Sequence, residues 1–267
     1  MPPTHDVKRD AQTVAMNQPT INLKRPAFDY RLETRRPIVC LMFVAPLLLF
    51  YEIGSILVND PHGKSGIDQW LHWVLDTIGI GQLVVLPILT AAILITWHHR
   101  IGDSHRVRLS VFMGMALESV GLGIILFFAG NAFHQLATID SMPPANVPLE
   151  ITAVVASGGW WSNTVSFVGS GVYEELVFRL IMLGGFVAIT RKYWGDAGTG
   201  KIVGAIVTSL LFAALHYDFF NPAGGVFEVN SFVFRFFASI VFCVLFLFRG
   251  FGIAVTTHAV YDVLTQV

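Results

Sequence analysis

The sequence predicts an all-α integral membrane protein, because charged residues are scarce, apolar residues form long runs, and the basic residues are unevenly distributed. Charged residues make up 13% of the 267 positions, whereas a soluble domain carries roughly 25% to cover its surface. Hydrophobic residues make up 54%, and the mean hydropathy is +0.63. Much of the protein surface must therefore face a lipid bilayer rather than water.

The apolar runs predict about seven transmembrane helices. A helix needs around 20 residues to cross roughly 30 Å of hydrocarbon. The runs cover residues 37–58, 79–97, 108–130, 163–189, 202–220, 231–248 and 251–266, and the last of them is the shortest. We also expect a short interfacial helix at 66–77 and a loop or shallow re-entrant piece at 141–161.

Three regions follow from this pattern. Residues 1–36 are predicted to be a disordered, basic cytoplasmic tail that ends in a segment at the membrane surface. Residues 37–158 would hold the first three membrane helices with their loops. Residues 159–267 would hold the last four helices.

The distribution of Lys and Arg predicts the orientation. If the N-terminus lies in the cytoplasm, nearly all of the 17 basic residues fall on the cytoplasmic side. Lys64 falls outside, and Arg179 and Arg235 fall within spans. Cytoplasmic loops of membrane proteins carry such an excess of positive charge, so we expect the N-terminus inside and the C-terminus outside.

Two function classes find no support in the composition. The net charge is -1, so no basic surface for nucleic acid is indicated. The two cysteines, Cys40 and Cys243, lie in apolar runs without a CxxC pattern. We interpret them as buried apolar residues rather than as a disulfide or a metal site.

The few ionisable residues inside the predicted spans are the candidate functional residues. Each costs roughly 2.5–3.5 kcal/mol even on a lenient insertion scale, so each needs a reason to be there. The late spans carry Glu174, Glu175 and Arg179 in the fourth, His216 in the fifth, Arg235 in the sixth, and His258 and Asp262 in the seventh. The third span carries Glu118, which we expect to pair with Arg235 or Arg179.

Spacing assigns different tasks to the two adjacent glutamates. At 3.6 residues per turn, Glu174 and Glu175 point about 100° apart. Glu175 and Arg179 are four residues apart and can pair on one face, which leaves Glu174 freer to accept a proton. His258 and Asp262 are also four residues apart. They suit either two donors aimed at one oxygen or a carboxylate that orients an imidazole.

These residues form three motifs in a known order. The fourth span contains EExxxR from Glu174 to Arg179, the fifth contains FxxxH from Phe212 to His216, and the seventh contains HxxxD from His258 to Asp262. In that order, on late spans, they resemble the family of CAAX-type intramembrane proteases and bacteriocin-processing or immunity proteins. The resemblance covers about residues 160–266 and makes 159–267 the expected catalytic core.

The resemblance implies a glutamate-type intramembrane endopeptidase that uses neither metal nor cofactor. In that family the residues matching Glu174 and His216 activate a water, and those matching His258 and Asp262 stabilise the oxyanion. This chain has Asp262 where the best-studied enzymes have Asn. Since an ionised carboxylate would repel an oxyanion, Asp262 either keeps a proton or orients His258. Phe212 is expected to pack behind His216.

The same ionisable residues are also compatible with other functions. Glu, His and Asp side chains on three helices could instead hold a metal ion, or the charges could serve a non-proteolytic immunity or scaffold protein. Ser170, between two glycines, is not interpreted as a serine nucleophile, because a GxSG elbow would need glycine where Val168 stands. We interpret it as a helix-packing residue.

The sequence also predicts the setting of the site. The expected partners are the lipid bilayer and a membrane-anchored protein or peptide substrate, and the expected location is a bacterial inner membrane. Counting residues from the flanking charges places His258 roughly 10 Å nearer the cytoplasm than Glu174.

Overall fold

A computed structural model describes residues 29–58, 82–104, 106–139, 159–217 and 227–266. Every element of regular structure in these ranges is helical, which confirms the predicted fold class. Residues 1–28 of the predicted tail, the interfacial helix at 66–77 and nearly all of the loop at 141–161 lie outside the described residues, whereas the end of the tail is described and contains a short helix, Tyr30–Thr34. The helices are α1 (Tyr30–Thr34), α2 (Pro37–Val58), α3 (Gln82–Ile101), α4 (Leu109–Ile139), α5 (Trp160–Glu175), α6 (Gly184–Trp194), α7 (Ala197–Leu215), α8 (Val229–Arg249) and α9 (Phe251–Leu264).

Four of the described helices are long and apolar enough to cross a membrane. They are α2, the stretch Leu109–Ala137 of α4, α7 and α8. Helix α9 is apolar but has only 14 residues. The chain is an integral membrane protein of helices, as predicted, while the count of about seven spans and the orientation stay predictions.

The fourth predicted span contains a π-helical segment that the sequence analysis did not foresee. Helix α5 continues into Leu176–Leu183, which is π-helical, and then into α6. The backbone is helical at both junctions, with φ and ψ of -59° and -51° at Leu176 and of -60° and -43° at Gly184. Glu174 and Glu175 are the last two residues before the helix widens. Such π-helical segments occur frequently at functional sites.

Helix α9 is the element around which the late helices pack. It lies against α4 and α5, and also against α2 and α8. Glycines permit this close approach. A Cβ added at Gly171 of α5 would lie 2.7 Å from the backbone nitrogen of Ala259, and one at Gly123 of α4 would lie 2.6 Å from Cγ1 of Val260. The backbones of α5 and α9 therefore meet near the ionisable residues of both helices.

The partner of Glu118 differs from the prediction. Arg249 donates from Nε to Oε1 at 2.6 Å and from Nη2 to Oε2 at 2.5 Å. Arg235 lies at the other end of α8, roughly 21 Å away at 1.5 Å per residue, and Arg179 pairs with Glu175. The expected pair with Arg235 or Arg179 is therefore wrong. Glu118 instead ties α4 to the end of α8.

Tyr30 completes this contact from α1. Its hydroxyl donates to Oε2 of Glu118 at 2.9 Å, and the Arg249 guanidinium lies 5.2 Å from its ring centre. Burial and the hydrogen bond to Glu118 raise the pKa of Tyr30 to about 12. The phenol therefore keeps its proton and remains a donor, so α1, α4 and α8 are joined at one end of the bundle.

Candidate active site

Glu174 lies where α5, α7 and α9 meet. Its side chain is 4% exposed, and each of its carboxylate oxygens faces a different histidine. Oε1 lies 3.9 Å from Nε2 of His216, and Oε2 lies 3.6 Å from Nε2 of His258. The three motifs of the sequence thus converge on one carboxylate.

The contact with His258 bears on the depth that was predicted for this residue. Counting residues from the flanking charges placed His258 roughly 10 Å nearer the cytoplasm than Glu174. Nε2 of His258 nevertheless lies 3.6 Å from Oε2 of Glu174, so the two side chains reach each other.

Ser170 is a site residue that the sequence analysis missed. Its Oγ donates to Oε1 of Glu174 at 2.7 Å, one helical turn away. The two glycines around it do pack closely, since a Cβ at Gly169 would collide with the ring of Tyr51. The spacing of four residues between Ser170 and Glu174 was the available signal, because residues at i and i+4 share a helix face.

His216 presents one defined ring nitrogen to Glu174. Its Nδ1 donates to the carbonyl oxygen of Phe212 at 2.7 Å, and since a carbonyl only accepts, Nδ1 carries the hydrogen. In the neutral ring, Nε2 is then an acceptor directed toward Glu174. The 3.9 Å separation is too long for a direct hydrogen bond. It suits a water molecule that contacts both groups.

Glu175 holds both Arg179 and His258. Its Oε1 lies 3.0 Å from Nη1 of Arg179 and accepts a hydrogen bond of 2.9 Å from Nδ1 of His258. The predicted pair of Glu175 and Arg179 is present, and the contact with His258 extends it to α9. The side chains of Glu175 and Arg179 are both fully buried.

Arg179 is held from the other side by α8. Its Nη2 donates to the carbonyl oxygen of Ser239 at 3.2 Å and to the hydroxyl at 3.0 Å. Ser239 in turn donates to Oγ of Ser209 in α7 at 2.9 Å. A chain of polar contacts therefore links the π-helical segment to α8 and α7 in an otherwise apolar core.

Aromatic rings enclose this cluster. The ring of Phe242 stacks on His258 with centroids 4.4 Å apart and an interplanar angle of 20°. Phe212 is buried and lies 4.7 Å from the ring of His216, as predicted for a packing residue behind that histidine. The Arg179 guanidinium also lies 4.8 Å from the Phe212 ring centre, so Phe212 contacts the site from two directions.

Asp262 lies near Nε2 of His258 and is somewhat more exposed than the histidine. Its Oδ2 is 3.6 Å from Nε2 of His258, and its side chain is 15% exposed. That separation is longer than a hydrogen bond, whereas Glu175 bonds the other nitrogen of the same ring at 2.9 Å. The geometry favours Glu175 as the group that orients His258, and it leaves Asp262 beside the other ring nitrogen, Nε2.

Two further residues lie close to the cluster without entering it. Arg235 donates to Oγ of Ser231 at 2.6 Å and to the hydroxyl of Tyr217 at 3.3 Å. Glu52, to which the sequence analysis gave no role, accepts a hydrogen bond of 2.8 Å from Tyr173. That bond ties α2 to the residue immediately before Glu174.

Cys40 and Cys243 are buried and free, as expected for apolar core residues. Within the described ranges, no group of three or more His, Cys, Asp or Glu side chains has the arrangement of a metal site.

Comparison with known protein families supports the resemblance that the motifs carry. Residues 156–264 match the family model described as type II CAAX prenyl endopeptidase Rce1-like. The matched stretch contains all three motifs and supports a membrane endopeptidase in general. No curated protein and no solved structure matches the chain.

Ser239→Ala tests the support of Arg179. We expect a loss of about 1–3 kcal/mol in the free energy of unfolding, because the variant removes a hydrogen-bond partner from a buried charged group. Ser119→Ala is the matched control, since Ser119 is equally buried and its hydroxyl has no hydrogen-bond partner among the described residues. Thermal unfolding in detergent measures both. Equal losses in the two variants would contradict the assignment.

Proposed function

We propose that this protein is an intramembrane endopeptidase that hydrolyses a peptide bond of a membrane-anchored protein or peptide with a water activated by Glu174 and His216. The observation that carries the proposal is that Nε2 of His216 and Nε2 of His258 face the two oxygens of one buried carboxylate. The match to a CAAX prenyl endopeptidase family supports peptidase activity in general.

The first step is proton removal from water. A water between Oε1 of Glu174 and Nε2 of His216 would be held by two acceptors, and Glu174 takes its proton as general base. The oxygen of the water then forms a bond to the carbonyl carbon of the substrate. Ser170, which donates to the same carboxylate oxygen, fixes the orientation of Glu174.

The second step is stabilisation of the negative charge that develops on the carbonyl oxygen. Nδ1 of His258 is occupied by Glu175, so Nε2 is the ring nitrogen that faces the substrate. In this proposal His258 is an imidazolium, with one N–H bound to Glu175 and the other at Nε2, and Asp262 is a protonated carboxylic acid, so that Nε2 and Asp262 each donate a hydrogen bond to the oxyanion and keep their protons. The C–N bond then breaks, and Glu174 returns its proton to the leaving amine. The products are a free carboxylate and a free amine.

The proposal assigns separate tasks to the two glutamates and to Arg179. Glu174 reacts with water, whereas Glu175 and Arg179 are positioning residues that hold His258. No metal ion or other cofactor takes part in these steps. We further propose a bacterial inner membrane as the location, with a substrate anchored in the same bilayer.

Glu174→Gln is the direct test of this function. The amide has the shape of the carboxylate but cannot accept the proton of the water, so we expect cleavage to fall by about 10²–10⁴-fold. Mass spectrometry compares the peptide termini in membranes of cells that produce wild type or the variant. The terminus that differs identifies the cleaved protein, and its abundance over time gives the rate of cleavage.

Glu228→Gln is the control for this test, because Glu228 is an exposed carboxylate that precedes α8. We expect it to cleave at the wild-type rate. A Glu174→Gln protein that inserts normally and cleaves like wild type would contradict the mechanism. Reversible loss of wild-type cleavage with a chelator would instead favour a metal-dependent protease. If the peptide termini were the same in cells producing wild type and in cells lacking the protein, a non-proteolytic immunity or scaffold protein would be favoured.

Asp262→Asn separates the two possible roles of Asp262. If this residue donates to the oxyanion, the Asn amide supplies an N–H in its place, and we expect activity within about tenfold of wild type. Asp262→Leu has a similar volume without a donor and should lose about 10²–10³-fold. Steady-state cleavage of the identified peptide distinguishes the variants. If Asn were as inactive as Leu, Asp262 would act as an acceptor that orients His258.

A further inference from the structure

An open cavity lies at the opposite end of α8 from Arg235. Its volume is about 840 Å³, and residues of α1, the middle of α4 and the end of α8 line it. This is the end of the bundle that the sequence predicts to face the cytoplasm. None of the residues proposed to take part in peptide hydrolysis lines the cavity, so its role is independent of the proposed function.

The cavity carries excess positive charge. Three arginines line it, Arg31, Arg35 and Arg249, against the two carboxylates of Asp29 and Glu118. Glu118 is already occupied by Arg249 in a two-point contact. Asp29 accepts a hydrogen bond from the backbone N–H of Arg31, as the cap of α1. That bond to a neutral N–H leaves the negative charge of Asp29 in place, so three guanidiniums against two carboxylates give the lining one excess positive charge.

Arg31 and Arg35 are available for an external ligand. Both side chains are exposed, and among the described residues no carboxylate lies within ion-pair distance of either guanidinium. Arg31 lies in α1 and Arg35, four residues later, is the C-cap of this helix in a helical conformation, so the two project from one side. Two such guanidiniums match the oxygen atoms of a phosphate group.

The cavity also has an apolar edge. Leu32 and Phe248 both line it, and each is 63% exposed. A site that combines free guanidiniums with exposed apolar side chains fits an amphiphile, whose charged group and hydrocarbon chains need both kinds of contact. Basic pockets at the cytoplasmic ends of membrane helices bind anionic lipid headgroups in this way.

We propose that the cavity between α1, α4 and α8 is a binding site for the phosphate-bearing headgroup of an anionic glycerophospholipid. Arg31 and Arg35 contact the phosphate, and Leu32 and Phe248 contact the first part of the acyl chains. The pair of Glu118 and Arg249 also lines the site and ties α4 to the end of α8 there.

Native mass spectrometry of the full chain in neutral detergent tests the site. Phosphatidylglycerol and phosphatidylcholine with the same acyl chains are the probes. We expect wild type to retain one phosphatidylglycerol in preference to phosphatidylcholine. In the double variant Arg31→Gln/Arg35→Gln, affinity for phosphatidylglycerol should fall roughly 20-fold, from the loss of two interfacial cations. Arg31→Lys/Arg35→Lys should restore most of it.

Arg191→Gln/Lys192→Gln is the matched control. It removes the same charge from the predicted cytoplasmic side, at exposed positions in the last turn of α6 that do not line the cavity. We expect it to bind phosphatidylglycerol like wild type. Equal losses in the two Gln double variants would overturn the site in favour of general attraction to anionic lipid. Displacement by glycerol phosphate at the concentrations at which phosphatidylglycerol binds would overturn the lipid assignment in favour of a soluble phosphate.

Discussion

The fully buried contact of Glu175 with Arg179 and His258 is the interaction on which the rest of the site depends. A charged side chain in the core of a membrane protein is costly unless another charge and hydrogen bonds compensate it. Glu175 meets this requirement with the guanidinium on its own helix and with the imidazole of α9. Since Arg179 is also held by Ser239 of α8, three helices are fixed relative to one another by one carboxylate.

That constraint determines which groups remain available for chemistry. With Nδ1 of His258 bound to Glu175, only Nε2 faces Glu174 and Asp262. Glu174 is relieved of any structural ion pair with Arg179 and is oriented by Ser170 instead. The close packing at Gly171 brings the backbone of α9 to within reach of these short contacts. Packing and charge compensation therefore favour the same arrangement, in which the Glu174 carboxylate lies between two histidines.

Sequence reasoning predicted a contact within one helix better than it predicted the contacts between helices. The pairing of Glu175 with Arg179 follows from helical spacing, which is a local property, and the scarcity of charge makes each buried ionisable residue conspicuous. Other contacts depend on how helices far apart in the chain pack together. They are the pair of Glu118 with Arg249, the contact of His258 with Glu174, and the hydrogen bond of Tyr173 to Glu52. The π-helical segment is a further case, since no proline marks Leu176–Leu183 in the sequence.

A double-mutant cycle on Glu174 and His216 tests the central claim most directly, because the proposed mechanism has both residues acting on one water molecule. Cleavage of the identified peptide would be measured for Glu174→Gln, His216→Ala and the double variant. Residues that act as a unit are strongly non-additive, so the account predicts that the double variant is about as slow as the slower single variant. Effects that multiply in the double variant would show that the two residues act independently, which would contradict a shared water.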